Sequence, residues 1–161
     1  MQIDVLLRAD LVSDDDRVLL PLPLHQQFGP SLRVAACGGS PLDDDLAWNL
    51  EALGWQVAIG YGLTETSPLP TLNPPGKAKI AAVGRAIPGV ELRIDDSDSD
   101  GEVGGEVDGQ TVGEILARGR HVFSGYRNLP EKTDEVLTDD GWFRTGDLGF
   151  IDDDGYLHVT G

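Results

Sequence analysis

LRVAACGGSPLDDDLAWNLEALGWQVAIGYG, residues 32–62, is the stretch on which the fold turns. Its first part, LRVAACGG (32–39), reads as a buried strand ending in a glycine turn. Asp43 is placed to cap a helix. Asp44 and Asp45 suit its first turn, because a helix N-terminus carries partial positive charge. Leu46, Leu50 and Leu53 recur at helical spacing and predict one apolar face, and Gly54 is a natural stop. QVAIGYG (56–62) reads as a second strand, again closed by glycines. Strand, helix, strand makes a βαβ unit, whose loops gather at the strand C-terminal ends, where open α/β sheets bind ligands.

On the N-terminal side, RVLLPLPL (17–24) is a short apolar run broken by Pro21 and Pro23, fit for an edge strand or an extended entry to a site. His25 and the turn-like QQFGP follow. Beyond residue 80 the pattern changes. VELRI, EILARG, WFRTGDLGF and YLHVTG are strand-like runs separated by DSDSDG, VGGEVDGQ, DDGW and DDDGY, predicting a small antiparallel sheet or distorted barrel. The acidic, glycine-rich stretch 95–109 predicts a mobile loop.

The 161 residues suit one domain or two small subdomains sharing a core, and the 40% hydrophobic fraction is adequate for an interior. With 28 acidic residues against 12 basic ones, the net charge is −16. That excludes non-specific binding to nucleic acid or anionic lipid, both polyanions, but not a nucleotide held by a few placed donors and Mg2+. Most of these carboxylates read as a solvated surface. A single cysteine, Cys37, leaves no internal disulfide and no CxxC pair. MQIDVLLRADLVSDDD (1–16) does not look like a signal peptide, and no apolar run is long enough to span a bilayer, so the expected compartment is the cytoplasm.

Common catalytic and nucleotide motifs fail. GYGLTE (60–65) has Glu65 where the dinucleotide fingerprint needs its third glycine. No phosphate-cradling G-x-x-x-x-G-K-[ST] occurs, and CGGSPL (37–42) is not a nucleophile elbow around Ser40. His25, His121 and His158 lack helical ligand spacing for zinc. What remains is CGGSP and GYGLTET, two glycine turns at matching ends of the βαβ unit. Glycine there lets backbone approach a flat or phosphorylated ligand, Thr64 offers a hydroxyl, Glu65 a hard oxygen for Mg2+, and Tyr61 a ring face. Taken alone, ordinary tight turns of an α/β protein explain these residues as well.

The longer string is more specific. GYGLTETSP (60–68), VGRAIPGVELRI (83–94), GEILARGRHVFSGYRNLPEKTDEV (113–136) and DGWFRTGDLGFIDDDGYLHVTG (140–161) resemble, in order and spacing, the adenylate-forming, AMP-binding superfamily, and look most like its fatty acyl-CoA synthetases. The resemblance spans residues 31–161. It implies an α/β plus antiparallel β fold, part of the N-terminal domain of such an enzyme. Residues 31–80 would be the nucleotide-binding α/β piece and 81–161 a β-rich subdomain. Residues 1–30 would be a residual upstream segment with a junction near 25–30.

The resemblance also implies roles. Gly38, Gly39, Ser40 and Pro41 match the segment along adenine, and Gly60, Tyr61 and Gly62 the second adenine wall. Thr64 matches the α-phosphate contact, Glu65 the Mg2+ ligand, and Asp147 the carboxylate on the ribose hydroxyls, a role suited to an acceptor-only group. Without the longer string, Asp147 reads as a turn aspartate. His25 resembles a position beside the acyl pocket and reads equally as a loop histidine. Tyr126 and Trp142 read as packing residues.

The implied chemistry uses ATP, Mg2+, coenzyme A and a carboxylic acid, expected to be a fatty acid: the acid attacks the α-phosphorus to give acyl-AMP and pyrophosphate, then the thiol displaces AMP. The sequence departs from the pattern in three places. It has no Ser/Thr/Gly loop with a Lys for the β- and γ-phosphates. QQFG alone separates the PLPLH-like and SLRVAACGG-like segments, and nothing after Gly161 supplies the ribose Arg or the lid with its Lys. Because losing one electrostatic contributor costs about 100- to 1,000-fold in rate, the chain alone is expected to lack synthetase activity. A carrier-protein-loading adenylation domain and a non-catalytic scaffold remnant are the alternatives. Self-association through an uncovered edge or apolar face is a further expectation.

Overall fold

In the computed structural model, which describes residues 26–29, 31–74, 76–97, 106–107 and 109–161, Asp43 caps a nine-residue helix by accepting the Leu46 N–H at 3.0 Å. That helix, α1 (Asp44–Ala52), joins β1 (Val34–Gly38) to β2 (Gln56–Tyr61), and the two strands pair in parallel from Val34↔Gln56 to Gly38↔Gly60. The register sets Gly38 and Gly60 side by side at the C-terminal edge, where both loops leave the sheet.

Two expectations need correction. β1 is not buried: its residues alternate exposed and half-buried, and Val34 is 37% exposed, because the described residues pair it on one side only, with β2. Nor do Leu46, Leu50 and Leu53 form the packing face of α1. Ala47 is the buried residue, clustered with Val57 and Ile59 and flanked by Leu50, Leu42, Ile80 and Val83, while Leu46 is 49% exposed. The helix turns its small residue to the sheet, which lets the backbones approach closely and leaves Leu46 and Trp48 outward.

After β2 the chain makes a 3-10 turn (Thr64–Thr66) and two short strands, β3 (Thr71–Leu72) and β4 (Arg85–Ala86), that extend the sheet antiparallel in the order β1-β2-β3-β4. The second sheet is wholly antiparallel, in the order β10-β9-β8-β5, from β5 (Val90–Asp95), β8 (Gly113–Gly119), β9 (Phe143–Ile151) and β10 (Leu157–Val159). Its interior is Ile115, Leu116, Phe143 and Leu157, each almost fully buried. Part of the expected loop at 95–109 is structured: β6 (Glu106–Val107) pairs with β7 (Gln110–Thr111). A helix absent from the sequence reading, α2 (Pro130–Val136), starts with proline at its first turn, where no N–H is missed.

The sheets are joined by backbone. Val83 donates to the Leu157 carbonyl and Leu157 donates to the Gly84 carbonyl, both at 2.8 Å. This brings the segment before β4 against the start of β10. Among the described residues no helix is long and apolar enough to cross a membrane.

Candidate functional site

A cleft of about 540 Å³ opens at the C-terminal ends of β1 and β2. One side is Gly39, Ser40 and Pro41, the next is Gly60, Tyr61 and Gly62, and Ala81, Ala82 and Val83 form a third. Asp147 from β9 and Val159 from β10 complete it from the antiparallel sheet. The size suits a small-molecule ligand. Among the described residues, the charged side chains on its lining are Asp44 and Asp147, with no lysine or arginine.

Asp147 reaches the cleft because β9 is bulged. Between the pairs Glu114↔Leu148 and Leu116↔Arg144, β8 contributes Ile115 alone where β9 contributes Thr145, Gly146 and Asp147. Extra residues on one strand bend it and re-aim a side chain. Gly146 takes φ +77°, a conformation other residues resist. Glu114 pins the bulge: one oxygen accepts the Gly146 N–H at 3.1 Å and the other accepts from Arg144 at 2.7 Å. The Thr145 hydroxyl donates to the Ile115 carbonyl at 2.7 Å and accepts the Asp147 N–H at 3.1 Å.

Two tyrosines reach across between the halves in opposite directions. Tyr61, at the end of β2, donates its phenol to Oδ2 of Asp147 at 2.6 Å. Tyr126, from the loop before α2, donates to Oε1 of Glu65 at 2.8 Å, and the Phe123 N–H donates to the Glu65 carbonyl at 2.8 Å. Burial, then the Asp147 carboxylate, push the Tyr61 phenol well above its ordinary range, against a smaller opposing contribution from Thr145. The hydrogen bond to Glu65 raises the Tyr126 phenol, with burial adding to it.

The third wall is fixed from behind. Buried Asn73 donates to the carbonyls of Lys79 and Ala82 at 3.0 and 2.8 Å and accepts the Lys79 N–H at 3.0 Å. Asp152 binds Lys79 at 2.5 Å and the His158 ring at 2.9 Å, and the other His158 nitrogen lies 3.1 Å from the Ala81 carbonyl. Burial pushes the Asp152 carboxyl up, but hydrogen bonds from Lys79, His158 and the Tyr156 N–H outweigh it and hold the group well below the usual carboxylate range.

The structure thus brings Gly39, Ser40, Pro41, Gly60, Tyr61, Gly62 and Asp147 onto one cleft; Gly38, Thr64 and Glu65 do not line it. Thr64 is exposed on the 3-10 turn that follows Leu63 of the lining. His25 lies outside the described residues. Asp147 sits within a strand rather than in a turn between strands. The glycine at 62 has a different physical reason from the one expected. A Cβ on Gly62 would lie 1.7 Å from the Pro68 carbonyl oxygen, so the following loop, not a ligand, requires that glycine; one on Gly60 would lie 2.4 Å from the end of the Leu69 side chain and 3.2 Å from the Thr71 carbonyl, a milder restriction. Tyr126 is not merely a packing residue, since its phenol meets Glu65. Trp142 is buried, with the guanidinium groups of Arg93 and Arg118 at 4.7 and 4.5 Å from its ring centre. Glu114 and Tyr126 lie within the 113–136 string that carries the resemblance, but their roles are not legible there, because each acts through a partner distant along the chain.

A parallel βαβ corner facing an antiparallel sheet across one cleft is the architecture of the N-terminal domains of adenylate-forming enzymes. The sequence profile of AMP-binding enzymes matches residues 18–127, and the chain belongs to that family. It is 40% identical over 138 residues to the long-chain-fatty-acid–CoA ligase FadD15 of Mycobacterium bovis, covering 86% of this chain and 20% of that protein. It is 39% identical over 142 residues to the long-chain-fatty-acid–CoA ligase heimdall of Drosophila melanogaster, covering 86% and 19%. Among solved structures, apo MatB from Rhodopseudomonas palustris superposes with a TM-score of 0.69 at 37% identity, covering 89% of this chain and 29% of that one. The N-terminal domain of FACL13 from Mycobacterium tuberculosis gives a TM-score of 0.70 at 30% identity, covering 89% and 37%. The chain spans about a fifth of the length of these curated relatives.

Proposed function

We propose that these residues form the nucleoside-binding part of an ATP-dependent, AMP-forming acyl-CoA synthetase acting on a fatty acid. The observation that carries this is the convergence of the two glycine corners and Asp147 on a single cleft. Adenine lies between Gly39–Ser40–Pro41 and Gly60–Tyr61–Gly62, and Asp147 accepts from the ribose. Relatives named as long-chain-fatty-acid–CoA ligases support the acid and favour coenzyme A over a carrier protein as acceptor.

The carboxylate of the acid attacks the α-phosphorus and pyrophosphate leaves; the thiol of coenzyme A then attacks the acyl carbon and AMP leaves. The first step opposes two anions and needs neutralising charge. Thr64, on the turn just after Leu63 of the lining, would donate to the α-phosphate. Glu65 would hold Mg2+, which supplies that neutralisation when bound. Oε1 of Glu65 already accepts the Tyr126 phenol, so Oε2 would be the oxygen offered to the ion, with substrate phosphates completing the coordination as is usual for Mg2+.

Among the described residues, those lining the cleft offer a polyphosphate no lysine or arginine. Taken alone, the 161 residues bind the nucleoside end and do not turn ATP over. Calorimetric titration with AMP tests the site: Asp147→Ala weakens binding by about tenfold or more, the worth of a charge-assisted hydrogen bond. Unchanged affinity removes the ribose role. Robust ATP–pyrophosphate exchange by the isolated chain refutes its inactivity.

A further inference from the structure

Among the described residues β1 pairs on one side only, with β2. The Gln56 N–H donates to the Arg33 carbonyl at 2.9 Å. The N–H and C=O of a strand residue point to the same side, and the side alternates along the strand. Arg33, Ala35 and Cys37 therefore address β2, and Val34, Ala36 and Gly38 turn their backbone groups outward. VAACG (34–38) carries no proline, charge or bulge, the usual guards of an open edge. RVLLPLPL (17–24) lies outside the described residues, and its chemistry fits this edge. Pro21 and Pro23 are two apart, so an extended chain puts both missing N–H groups on one side. Leu20, Leu22 and Leu24 keep theirs on the other. The residue before each proline is also biased toward extended backbone.

The connection arrives from the right end. Residues 26–28 are helical, and Phe28 packs edge-on to Trp55, ring centres 5.9 Å apart, where β2 begins. The Gly29 carbonyl then accepts the Leu32 N–H at 3.1 Å, and the chain enters β1. A preceding segment that lies along β1 from this end runs antiparallel to it, the direction a short connection allows.

We propose that residues 19–24 dock on the open edge of β1 as an antiparallel strand, with Leu20, Leu22 and Leu24 opposite Gly38, Ala36 and Val34, and that Pro21 and Pro23 face outward and end the sheet. A second copy of the chain is the competing occupant. The connection 25–33 gives the chain's own segment an effective concentration on the order of millimolar, and the net charge of −16 opposes a second copy. The added strand backs β1 where it leads into the Gly39–Ser40–Pro41 corner of the cleft. It also sets His25 at the opposite end of β1 from that corner. The inference is independent of what the cleft binds.

Amide hydrogen exchange of the full chain, followed residue by residue by NMR, tests this. The amides of Val34, Ala36 and Gly38 exchange at least about tenfold more slowly than unpaired amides, at a rate independent of protein concentration. Leu22→Pro removes a donor from the pairing side and restores fast exchange at those three amides. Leu19→Pro, on the outward side, leaves them slow. Protected β2 amides in both variants report that the fold survives. Fast exchange in the native chain, protection retained in Leu22→Pro, or protection lost equally in both variants overturns the proposal. Protection that grows with concentration, alongside a dimer in sedimentation, gives the edge to a second copy and overturns it too. Should Leu22→Pro fail to fold, amide-to-amide NOEs between Leu22 and Ala36 in the native chain decide the question, and their absence overturns the proposal.

Discussion

The phenol of Tyr126 donates to Oε1 of Glu65 at 2.8 Å, tying the turn after β2 to the loop before α2 across 61 positions of sequence. Tyr61 makes the mirror connection to Asp147 across 86 positions. Each half of the molecule therefore lends a tyrosine to a carboxylate of the other, and the two contacts brace the same junction.

Loss of this bracing should be measurable by heat. Tyr126→Phe removes a charge-assisted hydrogen bond without removing the ring, which packs edge-on to Phe123 with centroids 4.8 Å apart, and lowers Tm by roughly 3–6 °C. Because both phenols are raised above their ordinary value of 10.0, their contribution is fully present below about pH 10 and is lost as pH climbs through the folded-state values. The Tm gap between native protein and Tyr61→Phe/Tyr126→Phe is thus constant from pH 7 to 9 and closes above about pH 10. A gap that widens with alkali contradicts the assignment.

The acid side is governed by Asp152, whose side chain is 12% exposed between Lys79 and His158. Its folded-state value is depressed, so its contribution is present above the ordinary value of 3.8 and is lost as pH falls toward the folded one. Asp152→Asn, which keeps the shape but not the charge, costs about 2 kcal/mol at pH 7 by denaturant unfolding. That difference shrinks progressively below about pH 4. An equal cost at pH 3 and pH 7 would show that shape, not charge, holds Lys79 and His158 there.

Gly146 links the bulge to the site. Alanine at φ +77° costs about 1 kcal/mol of stability, but the strain falls where Asp147 is aimed. Gly146→Ala should therefore weaken AMP binding about tenfold or more, beyond the loss seen for a strain-free change elsewhere on β9. Full affinity with reduced Tm would mean that the carboxylate finds its position without the bulge.

The sequence reading reached the βαβ unit, its capped helix and the strands of the second sheet because each carries its signal locally, in Asp43, in the glycines, and in alternating runs such as VELRI (90–94). It went wrong where the answer depends on neighbours distant along the chain. LRVAACGG looks buried because its residues are apolar, yet the described residues pair it on one side only. WFRTGDLGF shows a strand, but not that three of its residues face one residue of β8. Glu114 and Tyr126 are polar residues in unremarkable places until Gly146 and Glu65 are set against them. The convergence on one cleft likewise comes from sheet-to-sheet contact, which no window of sequence contains.

The glycines separate these two kinds of information. Gly39 and Gly62 stand in equivalent turns and look interchangeable in sequence, but only one has a neighbour in the way. A Cβ at Gly39 meets nothing within 4 Å and suffers only its φ of +76°. Gly39→Ala should thus cost about 1 kcal/mol and leave the fold intact. A Cβ at Gly62 would sit 1.7 Å from the Pro68 carbonyl oxygen and 2.5 Å from Pro70, both in the loop against which β2 ends. Gly62→Ala must displace that loop and should cost about 3 kcal/mol or more, with loss of AMP binding following from the moved Tyr61 rather than from any ligand clash. Paired unfolding curves decide it. If the two variants are equally stable, the 68–70 segment yields easily, and the glycine at 62 is there for what enters the cleft.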